Sequence, residues 1–252
     1  MIEVRDVWRV YQRTEALRGV SFTVEAGQRF GIVGESGSGK STLVRLLAAL
    51  DQPTSGEIRF QGQRVDGVPE RRLRFLRSAL QIVFQDPMGS LNPRMRVRDI
   101  IAEPLGRTAD RADRVAELLD AVGLPADAGE RYPHQFSGGQ RQRISIARAL
   151  APRPAVLLAD EAVSALDVSV RGQILDLLAD LADRFSLTLV FVSHDLSVVR
   201  HLCDTVAVMR AGEIVELGPV DRVYDAPEHE YTRELVAAAP TLRKVLSEIG
   251  ES

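Results

Sequence analysis

One glycine-rich loop constrains the fold of this chain more than any other feature of its sequence. The loop spans Gly34 to Ser41, reads GESGSGKS, and matches the pattern G-x-x-x-x-G-K-[ST] at every fixed position. The run 28–33 before it predicts a short buried strand, and the run 41–50 after it predicts a helix with leucines on one face. Strand, loop and helix in this order predict an α/β fold in which the loop binds phosphate groups.

The residue types in the loop indicate how it would hold a nucleotide. Glycines let backbone N–H groups turn inward on the phosphates, at the positive end of the following helix. The Lys40 ammonium would reach the β- and γ-phosphates, and the Ser41 hydroxyl would bind Mg²⁺. An ordinary glycine-serine turn is the alternative, which the flanking strand and helix disfavour. The residues predicted to bind the nucleotide here are Gly34, Ser36, Gly37, Gly39, Lys40, Ser41 and Thr42.

Two further strand ends carry side chains suited to phosphate chemistry. Residues 156–159 predict an apolar strand that Asp160 ends, and ligands of open α/β sheets bind at the carboxyl ends of strands. Asp160 is therefore placed to hold Mg²⁺, and Glu161 is placed to polarise an attacking water. Residues 188–192 predict another strand, and His194 at its end could contact the γ-phosphate. In isolation each of these would more often be a solvated or structural feature, so both interpretations depend on the phosphate loop.

A second glycine-rich element, Ser137-Gly138-Gly139-Gln140, lies upstream of the Asp-Glu pair. Its serine is placed to cap a helix that runs through Gln142 to Leu150, and the N-terminus of that helix would point at a phosphate. One nucleotide needs only one phosphate loop. A chain with both elements can therefore be interpreted as half of two sites, which two facing copies would complete as an ATP-driven clamp.

With these motifs, the chain resembles the nucleotide-binding subunit of an ATP-binding cassette (ABC) transporter over nearly its whole length. The phosphate loop matches the family's Walker A motif, and residues 156–160 match its Walker B motif. The resemblance assigns further family elements, namely the catalytic glutamate Glu161, the signature Ser137 to Gln140, the D-loop Ser164 to Asp167, the switch histidine His194, the Q-loop Gln85 and the adenine-stacking Tyr11. A lone aromatic residue in an N-terminal strand is more often part of a core, so Tyr11 is the weakest of these matches.

The resemblance implies ATP and Mg²⁺ as cofactors and gives each matched residue a role. The implied metal ligands are Ser41, Gln85 and Asp160. The implied catalytic residues are Lys40, Gln85, Glu161 and His194. Tyr11 and Asp167 would add contacts to the nucleotide, and the signature residues Ser137, Gly138, Gly139 and Gln140 would reach it from the opposite subunit.

Three segments, residues 85–94, 160–169 and 226–235, resemble the ATPases that serve dipeptide, oligopeptide and nickel importers. Most such relatives have Pro-Thr or Pro-Ser where this chain has Ala162-Val163. The implied partners are a second ATP-binding subunit, identical or homologous, two transmembrane permease subunits and, indirectly, a solute-binding protein. The segment from Gln85 to about Glu103 would grip a cytoplasmic helix of the permease through Met88, Leu91, Pro93 and Met95. The alternative is an ordinary surface loop.

Composition predicts a cytoplasmic protein, peripheral on the inner face of the cell membrane. The formal net charge of −3 argues against general binding to nucleic acid. No apolar run reaches the length of a membrane span, and residues 1–6 do not read as a signal peptide, so we expect any transport path to lie in other chains. The single Cys203 cannot form a disulfide within the chain and is expected in the core.

The predicted fold class is α/β, with a phosphate-loop (RecA-like) parallel-sheet core, an antiparallel β subdomain and an inserted α-helical subdomain. The whole chain, residues 1–252, is predicted to be one nucleotide-binding domain. Its expected parts are the core and β subdomain at 1–85 and 151–220, the helical subdomain at 86–150 and a C-terminal helical tail at 221–252. Within the helical part, Val115, Leu118, Leu119 and Val122 recur at helical spacing, and Gly123 is placed to end that helix.

Three other classes of protein stay open. A soluble ABC ATPase of DNA repair or translation would have long coiled-coil insertions or two cassettes, and these 252 residues contain neither. The ATPase subunit of a non-transport metabolic complex, of the carbon–phosphorus lyase type, shares many of the same sequence motifs. A non-hydrolysing structural cassette is disfavoured, because Lys40, Glu161 and His194 are all present.

Overall fold

The computed structural model describes residues 1–106 and 110–238, apart from the side chains of residues 87 and 88. The last part of the predicted tail, 239–252, lies outside the described residues. The strands are β1 (Ile2–Tyr11), β2 (Thr14–Val24), β3 (Arg29–Val33), β4 (Ser55–Phe60), β5 (Gln63–Arg64), β6 (Leu80–Val83), β7 (Val156–Asp160), β8 (Thr188–Ser193), β9 (Thr205–Arg210) and β10 (Glu213–Pro219). The α-helices are α1 (Lys40–Leu47), α2 (Arg74–Ala79), α3 (Pro87–Ser90), α4 (Val97–Ala102), α5 (Arg111–Ala121), α6 (Gly138–Leu150), α7 (Val168–Arg184), α8 (Leu196–Leu202), α9 (Val220–Asp225) and α10 (Glu230–Ala238).

The chain forms two compact units, one of Met1–Leu73 with Thr188–Ser252 and one of Arg74–Leu187. The first unit holds the phosphate loop and the switch histidine. The second holds the Q-loop, the signature and the Asp-Glu pair. The division into core, helical subdomain and tail stays a prediction.

The first unit combines an antiparallel sheet with a mostly parallel one. The antiparallel sheet has the order β2-β1-β4-β5, and the apolar residues of β1 and β2 alternate into the core. In the other sheet β3 pairs in parallel with β8 and with β9, and β10 pairs antiparallel with β9. The parallel strands are buried along almost their full length, as expected for strands with both faces covered.

The second unit pairs β6 with β7 in parallel and contains helices α2 to α7. Helix α5 confirms the periodicity expected of it, because Val115, Leu118 and Leu119 are buried and Gly123 follows its end with a positive φ of 68°. Its Arg114 is also buried. The guanidinium donates to the carbonyl oxygens of Leu150, at 2.7 Å, and Ala151, at 3.3 Å, where α6 ends. Cations are favourable at this end of a helix.

The predicted α/β fold class, with parallel strands, an antiparallel sheet and helical segments, is confirmed. Cys203 is buried as expected, and burial raises the pKa of its thiol well above the usual range. Across the described ranges, none of the helices has the length and apolar character needed to cross a bilayer.

Candidate functional site

The phosphate loop leaves the carboxyl end of β3 and enters α1, as the sequence predicts. Two of its glycines lie where a side chain cannot fit. A Cβ on Gly34 would lie 2.2 Å from the Met209 carbonyl oxygen, and a Cβ on Gly39 would lie 2.6 Å from the Ala16 carbonyl oxygen. Gly39 also has a φ of 106°, which favours glycine. These close approaches let the backbone turn sharply into the first turn of α1.

Lys40 lies inside the loop and is only 5% exposed. Its Nζ donates to the carbonyl oxygens of Gly34, at 2.6 Å, and Glu35, at 2.8 Å. Phosphate oxygens are stronger partners for an ammonium than neutral carbonyls. Among the described residues no side chain caps the start of α1, and its first turn has no acidic residue. The loop therefore fits an incoming phosphate, which would meet a buried cation and the positive end of a helix.

His194 lies at the same sheet edge as the phosphate loop. Ser193 is opposite Val33 in the parallel pair of β8 and β3, so His194 and Gly34 each follow a paired strand end. The turn is fixed by Asp195, whose N–H donates to the Ser193 hydroxyl at 3.0 Å and whose Oδ1 accepts from the Ser197 N–H at 2.9 Å. The turn leaves His194 exposed, in reach of a ligand at this edge.

Tyr11 ends β1 and is 39% exposed, so it is not a core residue. Its hydroxyl donates to Asp51 Oδ2, and the Arg9 guanidinium donates to Asp51 Oδ1 at 2.7 Å. The Arg9 guanidinium also covers the Tyr11 ring, 4.2 Å from the ring centroid. Burial raises the pKa of Asp51, but hydrogen bonds from Tyr11 and the Gln52 N–H, with the Arg9 charge, outweigh it and hold the pKa below its usual value. Asp51 therefore stays charged and fixes the ring.

In the second unit, the two predicted metal ligands other than Ser41 face one cavity. Val83 of β6 is opposite Ala159 of β7, so Gln85 and Asp160 leave the same edge of this strand pair. Both line an open cavity of about 500 Å³. Their oxygens are the ligand type that Mg²⁺ prefers, and this metal usually takes only one or two protein ligands and completes its shell with water and phosphate. The donor set therefore fits Mg²⁺.

Glu161 follows Asp160 with a backbone conformation that is strained for a side-chain-bearing residue. Its φ is 48°, in the left-handed region, and such strain concentrates at functional sites. The Glu161 carbonyl oxygen accepts from the Ser164 N–H at 3.1 Å and from the Ser164 hydroxyl at 2.9 Å, which holds the turn. Asp167 of the D-loop is exposed at the start of α7.

The signature begins helix α6, and Ser137 caps it as predicted. The Gln140 N–H donates to Ser137 Oγ at 3.3 Å, and the Ser137 N–H donates to Gln140 Oε1 at 3.0 Å. Gly138 and Gly139 take no part in this box. A Cβ on Gly139 would lie 2.5 Å from Val170 Cγ1, so the glycine lets α7 approach the start of α6. Ser137 and Gln140 are exposed, and Gly138 and Gly139 are half-buried.

The structure corrects one residue of the segment expected to grip a permease. Leu91 is buried at 3% exposure, so it packs inside the second unit and is not available to a partner. Pro93 is exposed and Met95 is half-buried, while the side chain of Met88 lies outside the described residues. A leucine that follows a short helix gives no signal in the sequence that separates a core position from a docking position.

Sequence reasoning missed the residues that support the site from a distance. Arg9 and Asp51 hold Tyr11, and the Tyr231 hydroxyl accepts from the Glu35 N–H at 2.9 Å. Tyr231 is 196 positions from Glu35, and no periodicity or spacing links them. The only available signal was the resemblance of the tail segment 226–235 to importer ATPases.

Comparisons with known proteins agree with these motifs. The family model described as "ABC transporter" matches residues 17–164. The chain is 48% identical to the di/tripeptide transport ATP-binding protein of Pseudomonas aeruginosa, over 94% of this chain and 75% of that protein. It is 47% identical to the oligopeptide transport ATP-binding protein of Bacillus subtilis, over 97% of this chain and 79% of that protein.

A solved structure also resembles the fold of this chain. An ATP-binding cassette in a dimeric post-hydrolysis state, bound to ADP and Pi, matches with a TM-score of 0.78 and 31% identity, over 87% of this chain and 99% of its own. The family resemblance drawn from the motifs is confirmed by all three similarities. The chain therefore belongs to the ABC transporter family.

Proposed function

We propose that this chain is the ATP-hydrolysing subunit of an ABC importer for short peptides. The observation that carries the proposal is the phosphate loop, in which a buried Lys40 bonds its own loop carbonyls beside an uncapped helix start. A bound phosphate would accept hydrogen bonds from the Lys40 ammonium and from the first N–H groups of α1. The peptide class is supported by relatives at 48% and 47% identity that are named for di/tripeptide and oligopeptide transport. Nickel, which the motifs also allowed, stays a prediction.

Each residue set then has a defined task. The loop residues Gly34, Ser36, Gly37, Gly39, Lys40, Ser41 and Thr42 bind the β- and γ-phosphates, and Tyr11 stacks on the adenine. Ser41, Gln85 and Asp160 hold Mg²⁺, which neutralises charge on the phosphate oxygens when bound. That all of these residues serve one nucleotide is what the family resemblance predicts.

Hydrolysis needs a group that orients water and groups that stabilise charge on the transferring phosphoryl. Glu161 accepts a hydrogen bond from the attacking water and takes up its proton as the oxygen bonds to phosphorus. Lys40 and His194 donate to the phosphate oxygens, whose charge grows as the bond to the leaving ADP breaks. Gln85 lines the same cavity as Asp160, where it can report the state of the nucleotide to the segment that follows it.

A second ATP-binding subunit completes the site. The exposed start of α6 presents Ser137, Gly138, Gly139 and Gln140 to the γ-phosphate held by that subunit, with Asp167 beside the interface. A dimeric cassette bound to ADP and Pi, at 31% identity, supports this arrangement. The remaining partners are two permease subunits, which the exposed part of segment 85–103 contacts, and a solute-binding protein that acts through them. This assembly places the chain on the inner face of the membrane.

Uptake by cells tests the proposed function directly. A strain lacking this gene should lose uptake of a labelled dipeptide or oligopeptide. The wild-type chain should restore it, and Glu161→Gln should not, because that variant cannot take up the proton. Restored uptake of nickel with no change in peptide uptake would move the proposal to the other solute. If the strain lacking this gene takes up both solutes normally, and the chain is isolated in a soluble enzyme complex, the metabolic alternative is favoured.

A further inference from the structure

The C-terminal helix of the described residues, α10, contacts the phosphate loop through the Tyr231 side chain. Tyr231, in the first turn of α10, is 1% exposed and is one of the largest fully buried side chains of the described residues. Its hydroxyl oxygen accepts from the N–H of Glu35 at 2.9 Å. Glu35 is the second residue of the loop, so the tail reaches the nucleotide-binding backbone itself.

A network of polar contacts fixes the position of this tyrosine. The Glu216 carboxylate on β10 accepts from the N–H groups of Glu228 and His229, both at 3.0 Å. The His229 Nδ1 then accepts from the Tyr231 N–H at 3.1 Å and so caps the start of α10. The Arg210 guanidinium lies over the Tyr231 ring, 4.8 Å from its centroid. These contacts leave the hydroxyl little freedom to turn away from the loop.

Both the N–H and the carbonyl oxygen of Glu35 form hydrogen bonds. Its N–H donates to Tyr231, and its carbonyl oxygen accepts from Lys40 Nζ at 2.8 Å and from the Ser38 N–H at 3.2 Å. A bound phosphate draws Lys40 Nζ away from the loop carbonyls, because phosphate oxygens are its stronger partners. The Tyr231 contact does not involve Lys40, so it remains in place and keeps the loop open in the shape that the phosphates require.

We propose that Tyr231 is a positioning residue for the phosphate loop, through which the C-terminal helix sets the affinity of the chain for nucleotide. The proposal rests on the nucleotide site described above. It assigns no contact between Tyr231 and the nucleotide. A pre-shaped loop binds ligand more tightly because less ordering is required on binding. The effect falls on ATP and ADP alike, since the β-phosphate is common to both.

The variant Tyr231→Phe isolates the hydroxyl, because the ring, its volume and its contact with Arg210 are kept. The matched control is Tyr224→Phe on α9, whose ring likewise lies against an arginine, 4.2 Å from the Arg200 guanidinium. In the full-length chain, calorimetry should show ADP and ATP binding weakened by a similar factor of about fivefold in Tyr231→Phe and unchanged in Tyr224→Phe. The KM of ATP hydrolysis should rise by the same factor, with kcat within about twofold of wild type.

A purely structural tyrosine would give a different result. The melting temperature of Tyr231→Phe would fall while its nucleotide affinity stayed at the wild-type value, and that outcome overturns the proposal. A fall in kcat with KM unchanged also overturns it. Lys40→Ala serves as the reference for the site itself. If wild type and Lys40→Ala bind ADP equally, the nucleotide site is wrong; if only Lys40→Ala loses affinity, the site stands and the role of Tyr231 fails.

Discussion

Two helices of this chain start at glycine-rich segments, and they differ in whether a side chain caps the first turn. Helix α1 begins after Gly39, and no side chain of the described residues caps it. Helix α6 begins after Ser137, which exchanges hydrogen bonds with Gln140 in a complete capping box. A side-chain cap satisfies part of the first turn of a helix, whereas an uncapped first turn leaves its N–H groups for water or an anion to bind. The loop before α1 therefore suits nucleotide binding within one chain, and the start of α6 suits a contact made only when a partner closes.

The buried cations of the two helices show the same contrast. Lys40 lies at the N-terminus of α1, where a positive charge opposes the helix dipole, and two loop carbonyls accept from its ammonium. Arg114 lies at the C-terminus of α6, where the dipole favours it and the last carbonyls accept from it. The first arrangement gains from a phosphate, and the second is complete as it stands. Charge placement therefore separates a binding element from a structural one.

The largest expected effect comes from removing the cation of α1. Lys40→Ala should weaken ATP binding by about 100-fold or more, roughly 3 kcal/mol, because the phosphates lose a charge-assisted partner in a buried position. Calorimetry with ATP measures this loss. Arg45→Ala, an exposed basic residue in the last turn of the same helix, is the matched control and should bind as wild type does. Wild-type affinity in Lys40→Ala would show that the loop does not hold the phosphates.

The start of α6 can be tested by trapping the closed state. In a Glu161→Gln background, ATP should bind without being consumed, and size-exclusion chromatography should show a dimer with ATP but not with ADP. Adding Ser137→Arg should abolish this dimer, since it places bulk and charge where the signature is proposed to meet the γ-phosphate. Ser137→Ala is the milder comparison. It should cost the free chain about 1 kcal/mol of unfolding free energy through the lost cap, and it should leave the dimer detectable.

The trapped-dimer experiment includes the companion cassette if the native partner is a second gene product. A dimer that survives Ser137→Arg undiminished would remove the signature from the ATP interface. Loss of the dimer in Ser137→Ala as well would mean that the cap, rather than the surface, controls association.

The end of α6 should respond in stability and not in binding. Arg114→Met should lower the free energy of unfolding by about 2 kcal/mol, because two carbonyl oxygens at the helix end lose a charged donor inside the protein. Urea denaturation measures this change, and ATP affinity should stay at the wild-type value. The exposed Arg153 is the control, and Arg153→Met should change stability by less than about 0.5 kcal/mol. An unchanged midpoint for Arg114→Met would contradict the structural role of this cation.

Short motifs and periodic patterns were enough to predict the fold class, helix α5 and the capping of α6. Each of these depends on residues within about two turns of one another. The prediction for Leu91 was wrong because its burial depends on which helices pack over it, and the local sequence carries no information on that packing. Arg9, Asp51 and Tyr231 were missed for the same reason, since their contacts span 42, 40 and 196 positions. Only the folded chain brings these residues to the site that the motifs had located.

The smallest expected effect concerns the Tyr11 ring, which we propose stacks on the adenine. Asp51→Asn keeps the shape of the side chain but removes the charge that binds Arg9 and the Tyr11 hydroxyl, so the ring should be held less firmly. ATP affinity should fall about two- to threefold, less than about 1 kcal/mol, because the lost contacts act on the nucleotide only through the Tyr11 ring. Inorganic tripolyphosphate, which lacks the adenine ring, should bind the wild type and the variant equally. Equal losses for both ligands would place the effect at the phosphates instead.

The same pair predicts a pH dependence of stability with a defined sign. The folded pKa of Asp51 lies below its usual value, so the Arg9–Asp51 pair contributes fully at any pH above the unfolded-state pKa. The contribution is lost as the pH falls through the lower folded pKa. Urea midpoints of wild type and Asp51→Asn should therefore differ by a constant amount around neutral pH and converge in the acid range. A difference that stays constant into strong acid would show that the Asp51 charge does not act here, and that Tyr11 is held by packing against Arg9 alone.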